Sequence, residues 1–129
     1  MNEKSGFTLI ELLLVMVIIS ILAGAVAFSV TGRSTQARRT RAQADLSTYQ
    51  RAIEAFGLEH NDKYPKTLDD LATPDAKTGI KYIEKIKNDP WTNPYVFNVP
   101  GKANKYDLFS RGPDGQSGTD DDISVWDIE

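Results

Sequence analysis

The densest group of possible metal ligands in this sequence is the segment SRGPDGQSGTDDDI, at residues 110–123. It holds four aspartates and three glycines. Calcium binds about six to eight oxygen atoms from carboxylates and backbone carbonyls, and glycine lets a carbonyl turn toward an ion. The EF-hand spacing is absent, because Gln116 and Gly118 stand at the third and fifth positions counted from Asp114. From the residues alone, a calcium site and a solvated acidic turn are equally good interpretations.

A second chemically notable residue is Glu11, which interrupts the apolar run at residues 7–30. At ~1.5 Å per residue, this run is long enough to cross a hydrocarbon core of ~30 Å. A carboxylate in lipid is energetically expensive and is therefore a functional candidate. Removal of the polar residues 1–6 would leave Phe7 with a free amine four residues before Glu11, a spacing that places both on one helical face. We predict that this amine, from the same or a neighbouring helix, is the partner of Glu11.

The segment GFTLIELLLVMVIISILA, at residues 6–23, resembles the type III signal of type IV pilins and type II secretion pseudopilins. In those proteins a prepilin peptidase cuts between the glycine and the phenylalanine and methylates the new amine. The resemblance implies cleavage between Gly6 and Phe7, N-methylation of Phe7, and a role for Glu11 in registering each subunit in a fibre. A plain signal anchor with an accidental glutamate is the alternative. The arginines after the span oppose a simple positive-inside interpretation, so the predicted orientation depends on the leader motif.

The apolar helix is predicted to continue as an amphipathic helix. Apolar residues recur at spacings of four, three, four and three, and they are Ala42, Leu46, Tyr49, Ile53 and Phe56. This pattern indicates one buried helical face. Asn61 and Pro65 favour termination, so the helix should run from about Phe7 to His60. Many pilin-like proteins carry a proline in the membrane half, but Phe28 stands at that position, so any local loosening would depend on glycine.

The residues after the helix predict a small sheet. Thr67 and Asp70 form a capping-box-like pattern that predicts a helix of one or two turns, and residues 73–88 are interpreted as a loop with a short helix. Turn-forming residues in NDPWTNPY surround Trp91, whose ring is expected to be buried. Three β-rich runs follow at residues 95–99, 106–110 and 123–126. We therefore predict an α+β, pilin-like fold with a small antiparallel sheet packed on the long helix.

The motifs DPWTNPY, YDLFSRGPDG and DDISVW resemble those of the major pseudopilins of type II secretion, the general secretion pathway protein G family. The resemblance covers nearly the whole chain. It implies that the acidic loop binds calcium through the side chains of Asp114, Asp121 and Asp122 and through carbonyls near Arg111 and Gln116. Asp120 is an additional acid that could replace Asp121, and Arg111 stands where the family usually has an apolar residue.

The same resemblance implies three parts: a prepilin leader at residues 1–6, a transmembrane assembly helix at residues 7–30 and a periplasmic head at residues 31–129. Such a subunit would cross the bacterial inner membrane once and polymerise with itself into the periplasmic pseudopilus that drives secretion. Its other expected partners are the prepilin peptidase, minor pseudopilins and inner-membrane assembly proteins. The alternatives are a type IV or competence pilus subunit and a membrane-anchored periplasmic calcium-binding module.

The composition argues against an enzyme and against a nucleic-acid-binding protein. The sequence has no cysteine, one histidine, His60, and neither a phosphate-binding glycine loop nor zinc-ligand spacing. The formal net charge is −3, and the arginines at residues 33–41 follow an apolar helix, which is typical of a segment facing solvent or lipid headgroups. Because disulfides are excluded, the small head would need reinforcement by an ion or by oligomerisation.

Overall fold

The computed structural model describes residues 5–128, without the side chains of residues 27–32. The elements in the described residues are helix α1 at Leu9–Glu59, helix α2 at Asp69–Ala72, strands β1 at Val96–Asn98, β2 at Asp107–Ser110 and β3 at Ile123–Ser124, and a 3-10 helix at Val125–Asp127. The chain divides into two compact units, one ending at Gln36 and the other beginning at Ala37. Two of the predictions, those for leader residues 1–4 and for the Phe28 side chain, lie outside the described part.

The first unit contains the apolar part of α1. Its segment Leu9–Val26 has a mean hydropathy of 2.8, none of it is buried, and it is long and apolar enough to cross a membrane. The predicted long apolar helix is confirmed, with its start at Leu9 rather than at Phe7. The start differs because Thr8 occupies the position before the first helical turn, where its side chain forms a cap.

The second unit is built around the amphipathic part of α1. The predicted stripe is confirmed: Ala42, Leu46, Tyr49 and Ile53 are buried, and Phe56 packs half-buried against them. Sheet residues Leu108 and Ile123 belong to the same core. The Tyr49 and Tyr95 rings meet edge to face, with centroids 5.3 Å apart. The helix therefore supplies one side of the core and the sheet region supplies the other.

The strands form an antiparallel sheet in the order β1-β2-β3. Val96 pairs with Phe109, and Ser110 pairs with Ile123. The α+β prediction is confirmed, but the third run was predicted too long. It ends at Ser124, whose hydroxyl accepts the N–H of Trp126 at 3.3 Å and caps the 3-10 helix. This side-chain cap outweighs the β propensity of the residues after it.

The segment between α1 and the sheet departs from the predictions in two places. Helix α2 is present, but its N-cap is Leu68 without a side-chain cap; Asp70 nevertheless accepts the N–H of Thr67 at 2.9 Å. The predicted short helix within residues 73–88 is wrong in the described structure. Instead, the Leu71 carbonyl accepts the N–H groups of Tyr82 and Ile83, each at 3.0 Å, which holds the segment as irregular chain.

Candidate functional site

The acidic loop joins β2 to β3, between the paired residues Ser110 and Ile123. Near its end, Asp122 accepts the N–H of Gly118 at 2.6 Å through Oδ2. The other carboxylate oxygen of Asp122, Oδ1, is buried and lacks a hydrogen-bond partner among the described residues. Such an oxygen is costly unless a donor or a cation meets it. Asp122 therefore offers the kind of oxygen that a hard cation binds.

Three glycines determine the path of the loop backbone. Gly112, Gly115 and Gly118 have φ values of +65°, +67° and +85°, a region that favours glycine. A Cβ on Gly112 would collide with the Asp121 carbonyl, so the two ends of the loop touch. Asp114 accepts the N–H of Gln116 at 2.9 Å, which folds the chain tightly between Gly112 and Gly118.

A calcium site in this loop is a prediction that the described side chains do not test. Within residues 5–128, no group of three histidine, aspartate or glutamate side chains is arranged to hold a metal ion. Asp114, Asp121 and Asp122 are therefore close in sequence without forming a ready set of side-chain ligands. Arg111 donates to the Ser117 hydroxyl at 3.0 Å, which gives its side chain a role within the loop. The donor chemistry suits calcium through Asp122 Oδ1, and the full ligand set stays a prediction.

A buried aspartate outside the loop contributes to its support, and the sequence analysis did not identify it. Asp89 is 3% exposed and accepts the N–H groups of Trp91 at 3.0 Å and Asn93 at 2.9 Å. Its other oxygen accepts the Ser110 hydroxyl at 2.7 Å. An aspartate at the start of a proline turn is a recognisable signal for the local bonds. The bond to Ser110 depends on the tertiary fold, and Trp91 is half-buried rather than fully buried.

Two core tyrosines are held in their neutral form. Burial raises the pKa of Tyr106 to about 12. Burial also raises the pKa of Tyr95 far above its usual value, and Tyr95 donates its hydroxyl to Asp45 at 2.9 Å. Neither group ionises near neutral pH, so both act as structural hydrogen-bonding or packing groups.

Glu11 forms a capping box at the start of α1. Thr8 donates its N–H to the Glu11 carboxylate at 2.9 Å, and Glu11 donates its N–H to the Thr8 hydroxyl at 3.3 Å. The T-x-x-E spacing is a known start signal that the sequence analysis did not use. Phe7 is 85% exposed, and none of the described residues lies within 4 Å of a Cβ built on Gly6. Glu11 is therefore bonded within its own helix, and cleavage between Gly6 and Phe7 stays a prediction.

Comparison with known proteins found two family models that match successive parts of the chain. A family model described as the prokaryotic N-terminal methylation motif matches residues 1–27. A second, described as type II secretion system protein G, matches residues 29–126. The chain belongs to the type II secretion system protein G family. The two matches together cover the apolar helix and the head.

Relatives and a solved structure agree with this membership. The chain is 38% identical to type II secretion system core protein G of Aeromonas hydrophila, covering 99% of this chain and 96% of the relative. It is also 38% identical to the Pseudomonas aeruginosa core protein G, covering 98% and 97%. The crystal structure of the major pseudopilin from the type 2 secretion system of enterohaemorrhagic Escherichia coli matches with a TM-score of 0.65 and 29% identity. That match covers 74% of this chain and 87% of the other, and it confirms the pseudopilin fold.

Proposed function

We propose that this chain is the major structural subunit of a periplasmic pseudopilus, cut by a prepilin peptidase after Gly6 and then methylated on Phe7. The observation that carries the proposal is the exposed apolar helix Leu9–Val26, interrupted near its start by Glu11 and followed by a protein G head. Family membership favours this function over a pilus subunit or an isolated calcium-binding module. As a member of a family of structural subunits, the chain is not expected to be an enzyme.

The exposed apolar surface of α1 is unfavourable in water and is stabilised by contact with other apolar groups. Leu9 is 87% exposed and Met16 is 70% exposed, and side chains of this kind are stabilised by lipid or by neighbouring helices. Before assembly, the helix would cross the inner membrane with the head in the periplasm. In the fibre, copies of the same helix would cover each other.

Glu11 gives this packing a fixed register. In the full chain its carboxylate accepts the N–H of Thr8. Cleavage would create an ammonium group on Phe7, and an ion pair with a neighbour would offset the cost of a carboxylate among apolar side chains. Register follows because a subunit displaced by one turn would leave both charges unpaired.

The head is proposed to bind calcium in the acidic loop. Asp114, Asp121 and Asp122 would supply side-chain oxygens, and carbonyls near Arg111 and Gln116 would supply others. Asp122 supports this assignment because one of its oxygens is buried and meets no hydrogen-bond partner within residues 5–128. A bound divalent ion would neutralise the repulsion among the three consecutive aspartates at residues 120–122 and link the two ends of the loop.

The proposed partners follow from the same function. The chain would polymerise with itself and meet the prepilin peptidase, minor pseudopilins and inner-membrane assembly proteins during processing and growth of the fibre. The relatives named core protein G support a place in the type II secretion system. No nucleic acid is expected among these partners.

The decisive experiment is co-expression with a prepilin peptidase and the secretion assembly proteins, comparing wild type with Glu11→Gln. Mass spectrometry of the N-terminus and electron microscopy of fibres are the measurements. We expect both proteins to be cleaved and methylated, and only wild type to form fibres, because Gln keeps the size of Glu but not its charge.

Ser20→Ala is the matched control for this experiment. Ser20 lies in the same span and donates to the Met16 carbonyl at 2.7 Å, so the change removes a polar group without altering charge. Its fibres should equal those of wild type. An intact Met1 terminus, or equally abundant fibres from Glu11→Gln, would contradict the proposal.

A further inference from the structure

The turn at residues 89–94 reaches the acidic loop through a chain of three hydrogen-bonding groups. Asp89 Oδ2 accepts the hydroxyl of Ser110 at 2.7 Å. The same hydroxyl accepts the N–H of Gly112 at 3.1 Å. A residue 21 positions earlier in the sequence thus fixes the backbone where the loop leaves β2.

The direction of these bonds is determined by chemistry. A serine hydroxyl donates one hydrogen, and here its acceptor is the carboxylate of Asp89. This leaves an oxygen lone pair of Ser110 for the N–H of Gly112. Ser110 is 0% exposed and Asp89 is 3% exposed, so water cannot easily replace either bond.

A second contact joins the same turn to the middle of the loop. The Asn93 side-chain nitrogen lies 3.3 Å from a Cβ built on Gly115, so the amide rests directly against that glycine. Asn93 is itself fixed, because its N–H donates to Asp89 Oδ1 at 2.9 Å and its carbonyl accepts the Asp89 N–H at 2.8 Å. Asp89 therefore organises both points at which the turn meets the loop.

Gly112, which the Ser110 hydroxyl holds, lies directly against the other end of the loop. Its φ of +65° allows the close approach, and an added Cβ would collide with the Asp121 carbonyl. Asp121 precedes Asp122, whose Oδ1 is buried and has no hydrogen-bond partner in the part of the chain that the structure describes. A shift of Gly112 would consequently change the backbone beside the candidate ligand.

We propose that Asp89 and Ser110 are positioning residues, which hold Gly112 and preorganise the acidic loop for calcium without contacting the ion. The inference rests on the proposed calcium binding. Residues behind metal ligands typically change metal affinity by about 10–100-fold when they are mutated. The same range is expected for loss of the Ser110 hydroxyl.

The test uses the full chain in detergent micelles and calcium titration by calorimetry. Ser110→Ala should raise the Kd for calcium about 10–100-fold. Asp89→Asn, a change of equal size, should also weaken binding, because its single amide oxygen cannot accept both from the Ser110 hydroxyl on one side and from the N–H groups of Trp91 and Asn93 on the other. Without calcium, the Gly112 amide of Ser110→Ala should exchange with solvent faster than in wild type.

Tyr95→Phe is the matched control, because it removes a buried hydroxyl that donates to Asp45 at 2.9 Å, outside this chain of bonds. It should lower the melting temperature and leave the Kd unchanged. If wild type shows no saturable calcium binding, the calcium proposal fails and this inference fails with it. If wild type binds and Ser110→Ala binds equally well, only the inference is overturned. A loss of affinity in Tyr95→Phe as large as that in Ser110→Ala would also overturn it.

Discussion

At the scale of single residues, Gly112 and Gly118 allow a controlled comparison. Both have positive φ, but no described residue lies within 4 Å of a Cβ on Gly118, whereas a Cβ on Gly112 would collide with backbone. Gly118→Ala should cost about 1 kcal/mol of unfolding free energy from the left-handed conformation alone. Gly112→Ala should cost about 3 kcal/mol or more, because the Asp121 carbonyl must also move.

Urea unfolding of the full chain in micelles measures this difference. Trp91 and Trp126 both lie in the second unit, so tryptophan fluorescence follows the head alone. Equal losses from the two alanine substitutions would show that the contact between the ends of the loop does not constrain the backbone.

Residue type and spacing predicted some of the functional residues, but not the hydrogen bonds and burial that depend on the tertiary fold. Glu11 is identifiable from sequence because a carboxylate in an apolar run is costly and therefore indicates a functional role. The bond between Asp89 and Ser110 is not, because it forms only when β2 places Ser110 beside the turn. The Asp122 oxygen that lacks a partner among the described residues likewise depends on burial, which the acidic composition of the loop does not reveal.

At the scale of elements, the end of α1 is fastened to the irregular segment after α2. His60 contacts the Phe56 carbonyl at 2.8 Å through Nδ1 and Asp75 at 3.1 Å through Nε2, and its ring stacks on Phe56. Asp75 also accepts the N–H groups of Lys77 at 2.9 Å and Thr78 at 2.8 Å. Hydrogen bonds from Thr78, above all from its N–H, hold the pKa of Asp75 below its usual range.

The hydrogen bonds that Asp75 accepts predict that the stability of the fold depends on pH. Because the folded pKa of Asp75 is lowered, its stabilising contribution is complete above the ordinary aspartate pKa of about 3.9 and is lost as the pH falls through the folded value. Asp75→Asn should therefore melt below wild type at pH 7, and the difference should shrink below about pH 4. Tryptophan-detected melts at several pH values in calcium-free buffer provide the measurement.

Asp69→Asn is the control for the Asp75 substitution. Asp69 lies exposed on α2, and its carboxylate makes no hydrogen bond shown for the described residues. The melting temperature of Asp69→Asn should stay close to that of wild type at every pH from 7 to 3. A difference between Asp75→Asn and wild type that is constant from pH 7 to pH 3 would contradict the assigned role of the charge.

Element predictions succeeded where a repeating pattern decides the structure. The spacing of Ala42, Leu46, Tyr49 and Ile53 identified the buried face of α1, because helical periodicity accumulates over many residues. The short helix predicted within residues 73–88 was wrong and the strand predicted at residues 123–126 was too long, and in both places single side chains bind nearby backbone. Asp75 and Ser124 make such local bonds, and these bonds compete with regular secondary structure.

At the scale of the whole molecule, the two units differ in what stabilises them. The first exposes an apolar helix that needs lipid or neighbouring copies. The second has its own core but contains no cysteine to reinforce it. A head of this size buries a limited fraction of its surface, so a bound ion would supply a substantial part of its stability.

Calcium removal tests this dependence. A ligand present at 100 times its Kd stabilises the folded state by about 2.7 kcal/mol. For a domain of this size, each 1 kcal/mol shifts the melting temperature by about 4–8 °C, so chelation should lower the melt of the head by about 10 °C or more. Tryptophan fluorescence of the full chain in micelles, with calcium or with chelator, measures the shift.

Magnesium and Asp122→Asn complete the calcium experiment. Magnesium at the same concentration should restore little of the lost stability, because it demands a tighter octahedral set of oxygens and dehydrates reluctantly. In Asp122→Asn the amide can keep an acceptor for the Gly118 N–H, but the charge that attracts the ion is lost. This variant should therefore melt at one temperature with calcium and with chelator. Identical melts of wild type under those two conditions would refute calcium binding, and the stability of the head would then come from its core and from contacts between copies.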